Sequence, residues 1–200
     1  MPTIYYLFKI YYLFKYASHR IFTPFYKIGW PVVFGRGVEI NNAGYVQIGN
    51  RVVLGKNALI QVDLFNHLKH GSHKPKLKIG NNTSIGRGSV INAVSDVEIG
   101  NDVGIAPYCY VTDNSHCFDR IDMPIKRQGL DKVSSVKIKN GAWLGWNVAV
   151  LPGVTIGENS VIGAHSVVKK DIPDYCVAVG APARIVKRYD PIAKKWIKAH

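Results

Sequence analysis

The sequence predicts an all-β fold, a parallel β-helix in which short straight sides are joined by tight corners. The first observation is a six-residue period of aliphatic residues, at Ile138, Leu144, Val150, Ile156, Ile162 and Val168. The second is a glycine directly after several of these aliphatics, and the third is a small residue at the fourth position after each. A period of six fits neither a 3.6-residue helix nor a continuous alternating strand. It fits coiled sides whose aliphatic side chains stack inward and whose small residues let each corner close.

The composition is that of a globular chain with a basic surface. The chain has 200 residues, 47% of them hydrophobic, and 26 Lys and Arg against 13 Asp and Glu give a net charge of +13. This length fits one domain with a substantial core. The charge indicates either an anionic partner, which could be a phosphate-bearing cofactor, a nucleic acid or a membrane surface, or a solvated basic surface. Three cysteines with no CxxC spacing favour a reducing cytoplasm over a disulfide framework.

The first segment, residues 1–30, is aromatic and basic and repeats IYYLFK at 4–9 and 10–15. Lys9 and Lys15 interrupt it, so no run approaches the roughly 20 apolar residues that span a bilayer. No small-residue cleavage site of a secretory signal is evident. We expect a helix that ends before Pro24. It either lies at a membrane interface, with its cations at the headgroups, or caps the open end of the coil.

The coil itself is predicted over residues 31–172, with two interruptions at 62–78 and 112–137. The first interruption is polar and carries His67, His70 and His73 at equal intervals. Without Asp or Cys at ligand spacing, these histidines are interpreted as solvated or substrate-contacting residues, and no metal site is predicted. The second interruption, at 26 residues, is longer than an ordinary connection, and such loops are functional or disordered.

The last segment, residues 173–200, leaves the coil at Pro173. A turn at Gly180 and Pro182 is expected to lead into a final strand over 183–187. The remaining basic residues are predicted to form a short helix.

Candidate catalytic residues lie in the second interruption, close to the end of a coil strand. His116 could take a proton from a hydroxyl or amine that attacks an acyl group, because an imidazole titrates near neutrality. A carboxylate such as Asp113 could orient that imidazole. Placement next to a rigid strand favours these roles over that of an ordinary surface histidine.

The run from Asp113 to Lys187 resembles the hexapeptide-repeat acyltransferase superfamily, particularly the sugar O-acetyltransferases of bacterial surface polysaccharide synthesis. The matching pieces are DNSHCF, MPIKRQG, GAWLGWNVAVLPGVTIGENSVIGAHSVVKKDIP and VGAPARIVKR. Together they cover most of the last 90 residues, and the earlier coils share the period. The resemblance implies a left-handed coil. It also implies a homotrimer that binds acetyl-CoA in the groove between neighbouring subunits, as galactoside, maltose and serine acetyltransferases do.

The resemblance further implies roles for individual residues. The family's catalytic histidine falls on His116, and its substrate-contacting asparagine falls on Asn92. Trp143 is similar to the tryptophan near the cofactor thioester, whereas Trp146 stands where relatives carry smaller residues. The implied acetyl-CoA site combines accessible backbone, tryptophans and cations, and comprises Trp143, Gly145, Trp146, Ala164, Lys169, Lys170, Arg184 and Lys187.

The predicted function is transfer of an acetyl group from acetyl-CoA to a sugar hydroxyl, with His116 as general base and no acyl-enzyme. The acceptor is a sugar, a sugar nucleotide or a lipid-linked glycan, and no nucleic acid partner is expected. The expected location is cytoplasmic, at the inner face of the membrane if residues 1–30 bind there.

Three alternatives stay open. N-acetylation of an amino sugar nucleotide could use the same base, and a non-catalytic β-helix could act as a binding protein. Metal-dependent hydration of the γ-class carbonic anhydrase type would need three converging histidines. Only His116 and His165 lie on or next to the coils outside the first interruption.

Overall fold

The computed structural model describes residues 24–64, 76–131 and 133–199, and their regular structure is almost entirely short strands. Six coils contain three strands each: β1 (Lys27–Ile28), β2 (Val32–Phe34) and β3 (Glu39–Asn41); β4 (Val46–Ile48), β5 (Val52–Leu54) and β6 (Leu59–Val62); β7 (Leu77–Ile79), β8 (Ser84–Ile85) and β9 (Val90–Ala93); β10 (Val97–Ile99), β11 (Gly104–Ile105) and β12 (Tyr110–Thr112); β13 (Val136–Ile138), β14 (Trp143–Leu144) and β15 (Ala149–Val150); β16 (Thr155–Ile156), β17 (Val161–Ile162) and β18 (Val167–Val168). Three further strands follow: β19 (Cys176–Gly180), β20 (Ala183–Asp190) and β21 (Lys195–Lys198). Two 3-10 helices cover Ala43–Tyr45 and Ile125–Arg127.

Each coil contributes one strand to each of three parallel sheets. The first sheet has the order β1-β4-β7-β10-β13-β16, the second begins β2-β5-β8-β11-β14-β17-β19, and the third is β3-β6-β9-β12-β15-β18. The chain therefore turns three corners per coil: a first corner between the first and second sheets, a second corner between the second and third, and a third corner back to the first. This is the predicted left-handed parallel β-helix.

The core is a stack of the aliphatic residues that carry the six-residue period. In the first sheet, Ile48, Ile79, Ile99, Ile138 and Ile156 occupy one column of paired positions, and all are buried. Burying one such side chain stabilises the fold by about 1.5–3 kcal/mol. The column repeats in the other two sheets, so each coil adds one layer of three stacked inward side chains, one from each sheet, to one continuous core.

The first corner is stabilised by a ladder of asparagines. The Oδ1 atoms of Asn50, Asn81, Asn101 and Asn140 each accept a hydrogen bond from the backbone N–H one coil below, at 2.7–2.9 Å. Each bond contributes about 0.5–1.5 kcal/mol. The ladder satisfies backbone donors that a tight corner would otherwise leave unpaired.

Both interruptions of the period leave the coil at the third corner. The first connects β6 to β7, and its residues 65–75, which include His67, His70 and His73, lie outside the described residues. The second connects β12 to β13 two coils further along. One ordinary corner, Val94–Asp96, separates them. Both insertions therefore start and end at the same edge of the coil.

The termini differ from the prediction in one respect. The predicted helix over the first segment falls on residues 1–23, outside the described residues, and Lys27–Ile28 already forms the first strand. The predicted short C-terminal helix is wrong, because β20 and β21 form an antiparallel hairpin on β19. β19 is the last parallel strand of its sheet, and the hairpin satisfies the edge that β19 would otherwise expose. The ring of Tyr189 packs edge-on against that of Trp196 at 5.6 Å between centroids, a cross-strand pair that favours this register.

Among the described residues, none of the helices is long and apolar enough to cross a membrane.

Candidate active site at the loop corner

Asp113 fixes the base of the second loop, but through contacts that the sequence reasoning did not anticipate. Its side chain is fully buried. The two carboxylate oxygens accept hydrogen bonds from the backbone N–H groups of Val94, Ser95 and Asp96, at 2.9, 2.7 and 2.9 Å. These donors form the third corner of the coil below. Asp113 therefore clamps two successive corners together, instead of making the predicted contact with the imidazole of His116.

The next turn is also tied down by side chains. The Nδ2 of Asn114 donates to Oδ1 of Asp113 at 3.0 Å and to the hydroxyl of Thr112 at 3.1 Å. Thr112 is the last residue of β12, and both polar side chains are buried. A satisfied polar network of this kind rigidifies the chain that enters the loop.

His116 lies on a short two-stranded ladder inside the loop. It forms an antiparallel bridge with Leu130, flanked by hydrogen bonds from Cys117 N to Gly129 O at 3.1 Å and from Asp131 N to Ser115 O at 2.8 Å. The imidazole is exposed. The loop thus holds the backbone of His116 in place and leaves its side chain accessible to a ligand.

The outer part of the loop is closed by one glutamine. The side-chain amide of Gln128 receives a hydrogen bond from Arg120 N at 3.1 Å and donates to the carbonyls of Arg120 and Met123 at 2.7 and 3.1 Å. Phe118 and Ile121 remain exposed on this part of the loop.

Asn92 lies on the outward side of β9, paired in register with Thr112 of β12. Its Oδ1 is buried and, among the described residues, is the only buried side-chain oxygen or nitrogen without a hydrogen-bond partner. Leaving a buried acceptor unpaired costs about 1–3 kcal/mol. An unpaired oxygen next to the base of the histidine loop is the kind of group that a ligand hydroxyl would satisfy.

The predicted acetyl-CoA residues of the fifth and sixth coils lie near the second corner. The indole of Trp143 is half exposed on β14 and covers Gly104 of β11, where any Cβ would strike the ring. Gly145 begins the corner, and a Cβ there would lie 2.7 Å from the backbone nitrogen of Ala164. The coils can approach this closely only because residue 145 is a glycine.

Trp146 belongs to a cluster that the sequence reasoning missed. Its ring packs against Tyr108 at 5.0 Å between centroids, and the guanidinium carbon of Arg87 lies 5.7 Å from the Trp146 centroid and 5.6 Å from that of Tyr108. Tyr108 has a φ of 62°, at a corner position where Asn57 and Asn147 stand in other coils. A tyrosine in the left-handed region is uncommon. That departure was a sequence signal that could have identified the cluster.

The predicted cations lie at the C-terminal end of the coil but on different elements. Lys169 and Lys170 follow β18 of the third sheet, whereas Arg184 and Lys187 lie on β20 beside the second sheet. All four are largely solvent-facing, and in the described ranges none forms an ion pair. His165 lies at the second corner of the sixth coil, where its Nδ1 accepts a hydrogen bond of 3.1 Å from Nδ2 of Asn147. The part of the chain that is described contains no group of three or more His, Cys, Asp or Glu side chains arranged around a metal position.

A left-handed β-helix with a histidine-bearing loop at one corner indicates a hexapeptide-repeat transferase, and comparison with known proteins supports this class. A family described as bacterial transferase hexapeptide (six repeats) matches residues 135–170. A protein of Mycobacterium tuberculosis named as a probable acetyltransferase is 42% identical over 159 residues, 78% of this chain and 49% of that protein. WbbJ of Escherichia coli, named as an O-acetyl transferase of lipopolysaccharide biosynthesis, is 38% identical over 115 residues, 54% of this chain and 59% of WbbJ. The chain thus spans about half the length of the curated relatives it matches.

Solved structures share the fold. Galactoside acetyltransferase in complex with coenzyme A superposes with a TM-score of 0.60 and 30% identity, over 74% of this chain and 66% of that one. AntD of Bacillus cereus, an N-acyltransferase, superposes with a TM-score of 0.73 and 21% identity, over 88% and 90%. The chain therefore carries the bacterial transferase hexapeptide repeat at residues 135–170 and is similar to hexapeptide-repeat acetyltransferases in sequence and fold.

Proposed function

We propose that the protein is an acetyl-CoA-dependent O-acetyltransferase that acts on a sugar hydroxyl in surface polysaccharide synthesis. One observation carries the proposal. The loop that holds the exposed His116 by a backbone bridge starts next to Asn92, whose buried side-chain oxygen has no hydrogen-bond partner among the described residues. A base and a hydroxyl-holding acceptor atom are what transfer to an alcohol requires. The similarity to WbbJ favours a glycan acceptor.

His116 is the general base. One imidazole nitrogen takes the proton of the acceptor hydroxyl as the oxygen forms its bond to the acetyl carbon, and the same proton passes to the sulfur as the C–S bond breaks. Acetyl-CoA supplies the activated acetyl group and the thiol leaving group. Oδ1 of Asn92 accepts a hydrogen bond from the sugar and fixes its orientation, while backbone N–H groups stabilise the developing oxyanion.

Asp113 is a positioning residue in this proposal. Its carboxylate holds the corner from which the loop departs, so it determines where the backbone of His116 lies. Active-site geometry must be maintained to within about 0.5 Å, which favours attachment to a rigid coil.

The residues of the upper coils fit acetyl-CoA. A pantetheine arm can bind along the backbone that Gly145 and Ala164 leave accessible, with Trp143 and Trp146 beside it. The phosphates require cations, and Lys169, Lys170, Arg184 and Lys187 provide four that lack ion-pair partners among the described residues. No metal is needed for the reaction.

A homotrimer is part of the proposal. Charged pairs lie on the outward side of the first sheet or at its edge, Lys137 with Glu98 on the sheet and Lys78 with Asp96 of the third corner. In contrast, the outward residues of the second sheet in the second to sixth coils are uncharged or apolar, and Val53 and Trp143 are 43% and 51% exposed. Apolar surface of this extent fits contact between copies of the chain. We further propose a cytoplasmic location, with residues 1–30 as the segment that could reach the membrane.

The test is acetyl transfer by His116→Ala. Loss of the general base should reduce the transfer rate by about 10²–10⁴-fold, while the Kd for coenzyme A stays within about twofold. Asp119→Ala, which removes an exposed side chain of the same loop, serves as the control and should retain wild-type turnover. Wild-type turnover in His116→Ala would exclude the assignment, and absence of coenzyme A binding by calorimetry would favour the non-catalytic alternative. N-acetylation of an amino sugar nucleotide would appear as transfer to amine acceptors alone.

A further inference from the structure

The second corner carries a vertical column of cations in the first three coils, Arg36, Lys56 and Arg87, which we call the basic column. Backbone hydrogen bonds show that these residues stack: Asn57 N donates to Arg36 O, Gly88 N to Lys56 O and Tyr108 N to Arg87 O, each at 2.9 Å. Neighbouring strands of a sheet lie about 4.8 Å apart. Three positive side chains therefore leave one edge of the coil within about 10 Å of each other.

These charges are not compensated within the described part of the chain. All three side chains are exposed, and the four ion pairs found there involve other residues. Like charges at this spacing repel each other, so the column costs free energy unless an anion binds. A single solvated lysine would be ordinary, but three stacked cations without an ion-pair partner in the described ranges favour the binding of an anion.

Arg87 is also held in a defined position. Its guanidinium lies against Tyr108 and Trp146, and the ring of Tyr108 covers Gly88, where a Cβ would lie 2.6 Å from the ring. The rings contact the guanidinium by cation–π interaction and leave N–H groups free. Lys56, Asn57, Arg87, Gly88 and Tyr108 together line a surface depression. The left-handed φ of Tyr108 shows that the corner retains a strained aromatic residue at this depression.

The depression and the proposed active site lie at opposite edges of one sheet face. β9 starts two residues after Gly88 and reaches Asn92, with Val90 and Asn92 on its outward side. The distance along the chain from Arg87 to Asn92 is at most about 17 Å. A ligand that extends across this face can therefore contact the basic column at one end and Asn92 at the other.

We propose that Arg87 and Lys56 bind the diphosphate group of an activated glycosyl acceptor whose sugar lies across the face toward Asn92 and His116. Two cations about 4.8 Å apart match two successive phosphates, and a guanidinium binds phosphate oxygens through two parallel N–H groups. The inference rests on the proposed function for the identity of the sugar as acceptor, but the anion site itself does not depend on catalysis. Both nucleoside diphosphate sugars and lipid diphosphate sugars carry this group.

The test is calorimetric titration of the full chain, saturated with coenzyme A so that the cofactor phosphate site is filled. The probe is inorganic pyrophosphate. Arg87→Gln and Lys56→Gln should each weaken pyrophosphate binding by about 10- to 100-fold, because each removes charge-assisted hydrogen bonds. Arg51→Gln is the matched control, since Arg51 is an exposed arginine at the first corner of the second coil and should leave the Kd unchanged. Equal loss in all three variants, no loss in Arg87→Gln and Lys56→Gln, or no binding to the wild type would each overturn the proposal.

A further variant tests the role of the Tyr108 ring and is expected to leave the fold intact. Tyr108→Asn places at this corner the residue type that already occupies the equivalent left-handed positions 57 and 147, so it should fold normally. Its pyrophosphate affinity should fall by several fold, about 3- to 10-fold, because Arg87 loses a ring that holds it. Unchanged affinity in a folded Tyr108→Asn would contradict the role given to the ring.

Two further probes distinguish the sources of the diphosphate. UDP-glucose binding that is tighter than that of pyrophosphate indicates a nucleotide-linked acceptor, whereas tighter binding of farnesyl diphosphate indicates a lipid-linked one. Equal binding of the three probes indicates that the diphosphate is the whole recognised group. Kinetics separate the two proposals: Arg87→Gln should raise the KM for a diphosphate sugar by a larger factor than the KM for methyl glucoside, which lacks the diphosphate. If the wild type binds diphosphate but transfers no acetyl group, the proposed function is refuted and the diphosphate site is still supported.

Discussion

The replacement Asp113→Ala tests whether this carboxylate is a structural clamp or a partner of the histidine. The side chain is fully buried and accepts three backbone hydrogen bonds from residues 94–96. Its removal leaves three donors without an acceptor at a buried corner. Each bond to a charged group contributes about 1.5–3 kcal/mol, and partial relaxation of the corner with water entry reduces the total, so we expect a loss of about 3–5 kcal/mol.

The loss is measured by denaturant and thermal unfolding. For a chain of this length, each kcal/mol lowers Tm by about 2–4 °C, so Asp113→Ala should unfold about 6–20 °C below the wild type. Asp119→Ala removes an exposed carboxylate of the same loop and should unfold within about 2 °C of the wild type. If Asp113→Ala retained the wild-type Tm but lost acetyl transfer, the clamp would be refuted and a direct contact with His116 would be indicated.

Two more predictions follow from contacts elsewhere in the coil. Gly104→Ala should weaken coenzyme A binding about as much as Trp143→Ala, because the new Cβ displaces the indole of Trp143. If titration of Gly104→Ala gives the wild-type Kd for coenzyme A, the position of this ring does not matter for binding. Lys139 donates a hydrogen bond of 2.9 Å to Asp174 and thereby lowers the pKa of that carboxyl, as does the N–H of Glu158. A lowered folded-state pKa stabilises the fold above the unfolded-state value of about 3.9 and loses that contribution as pH falls through the folded pKa. Thermal unfolding should therefore be measured from pH 6 to pH 2.5. At pH 6 the free energy of unfolding of Lys139→Met should be below that of the wild type by less than about 1 kcal/mol, and this difference should disappear as the pH falls. A difference that increases in acid would contradict the assignment.

The coil could be predicted from the sequence because its determinants are local. Ile138 and Ile156 stack one above the other, and the residues that direct this stacking all lie within one coil. Position within the six-residue repeat also decides which side chains point inward, so the core follows directly. The interruption around His116 is visible for the same reason, since the period stops there.

The basic column could not be predicted in this way because its members are brought together by loop length. Arg36 and Lys56 are 20 residues apart, but Lys56 and Arg87 are 31 apart, since the first loop is inserted between their coils. The six-residue period shows which residues lie at corners. It does not show which corner residues of two coils stack on each other when a loop is inserted between those coils. The same limit explains Asp113, whose spacing from His116 indicated a catalytic pair while the corner below offered three backbone donors.

The C-terminal hairpin was missed for another physical reason. The segment that contains Lys187 and Trp196 has enough cations and long side chains for a helix. Its structure is decided by the free edge of β19, a tertiary partner that local composition does not reveal.

The most direct test of the proposed function is the transfer of labelled acetyl groups from acetyl-CoA to a panel of sugar, sugar-nucleotide and lipid-linked acceptors. The wild type should place the label on an acceptor hydroxyl as an ester that mild alkali removes, and His116→Ala should transfer at a rate reduced by about 10²–10⁴-fold. An alkali-stable amide product, or equal labelling by His116→Ala, would contradict O-acetylation with His116 as the base.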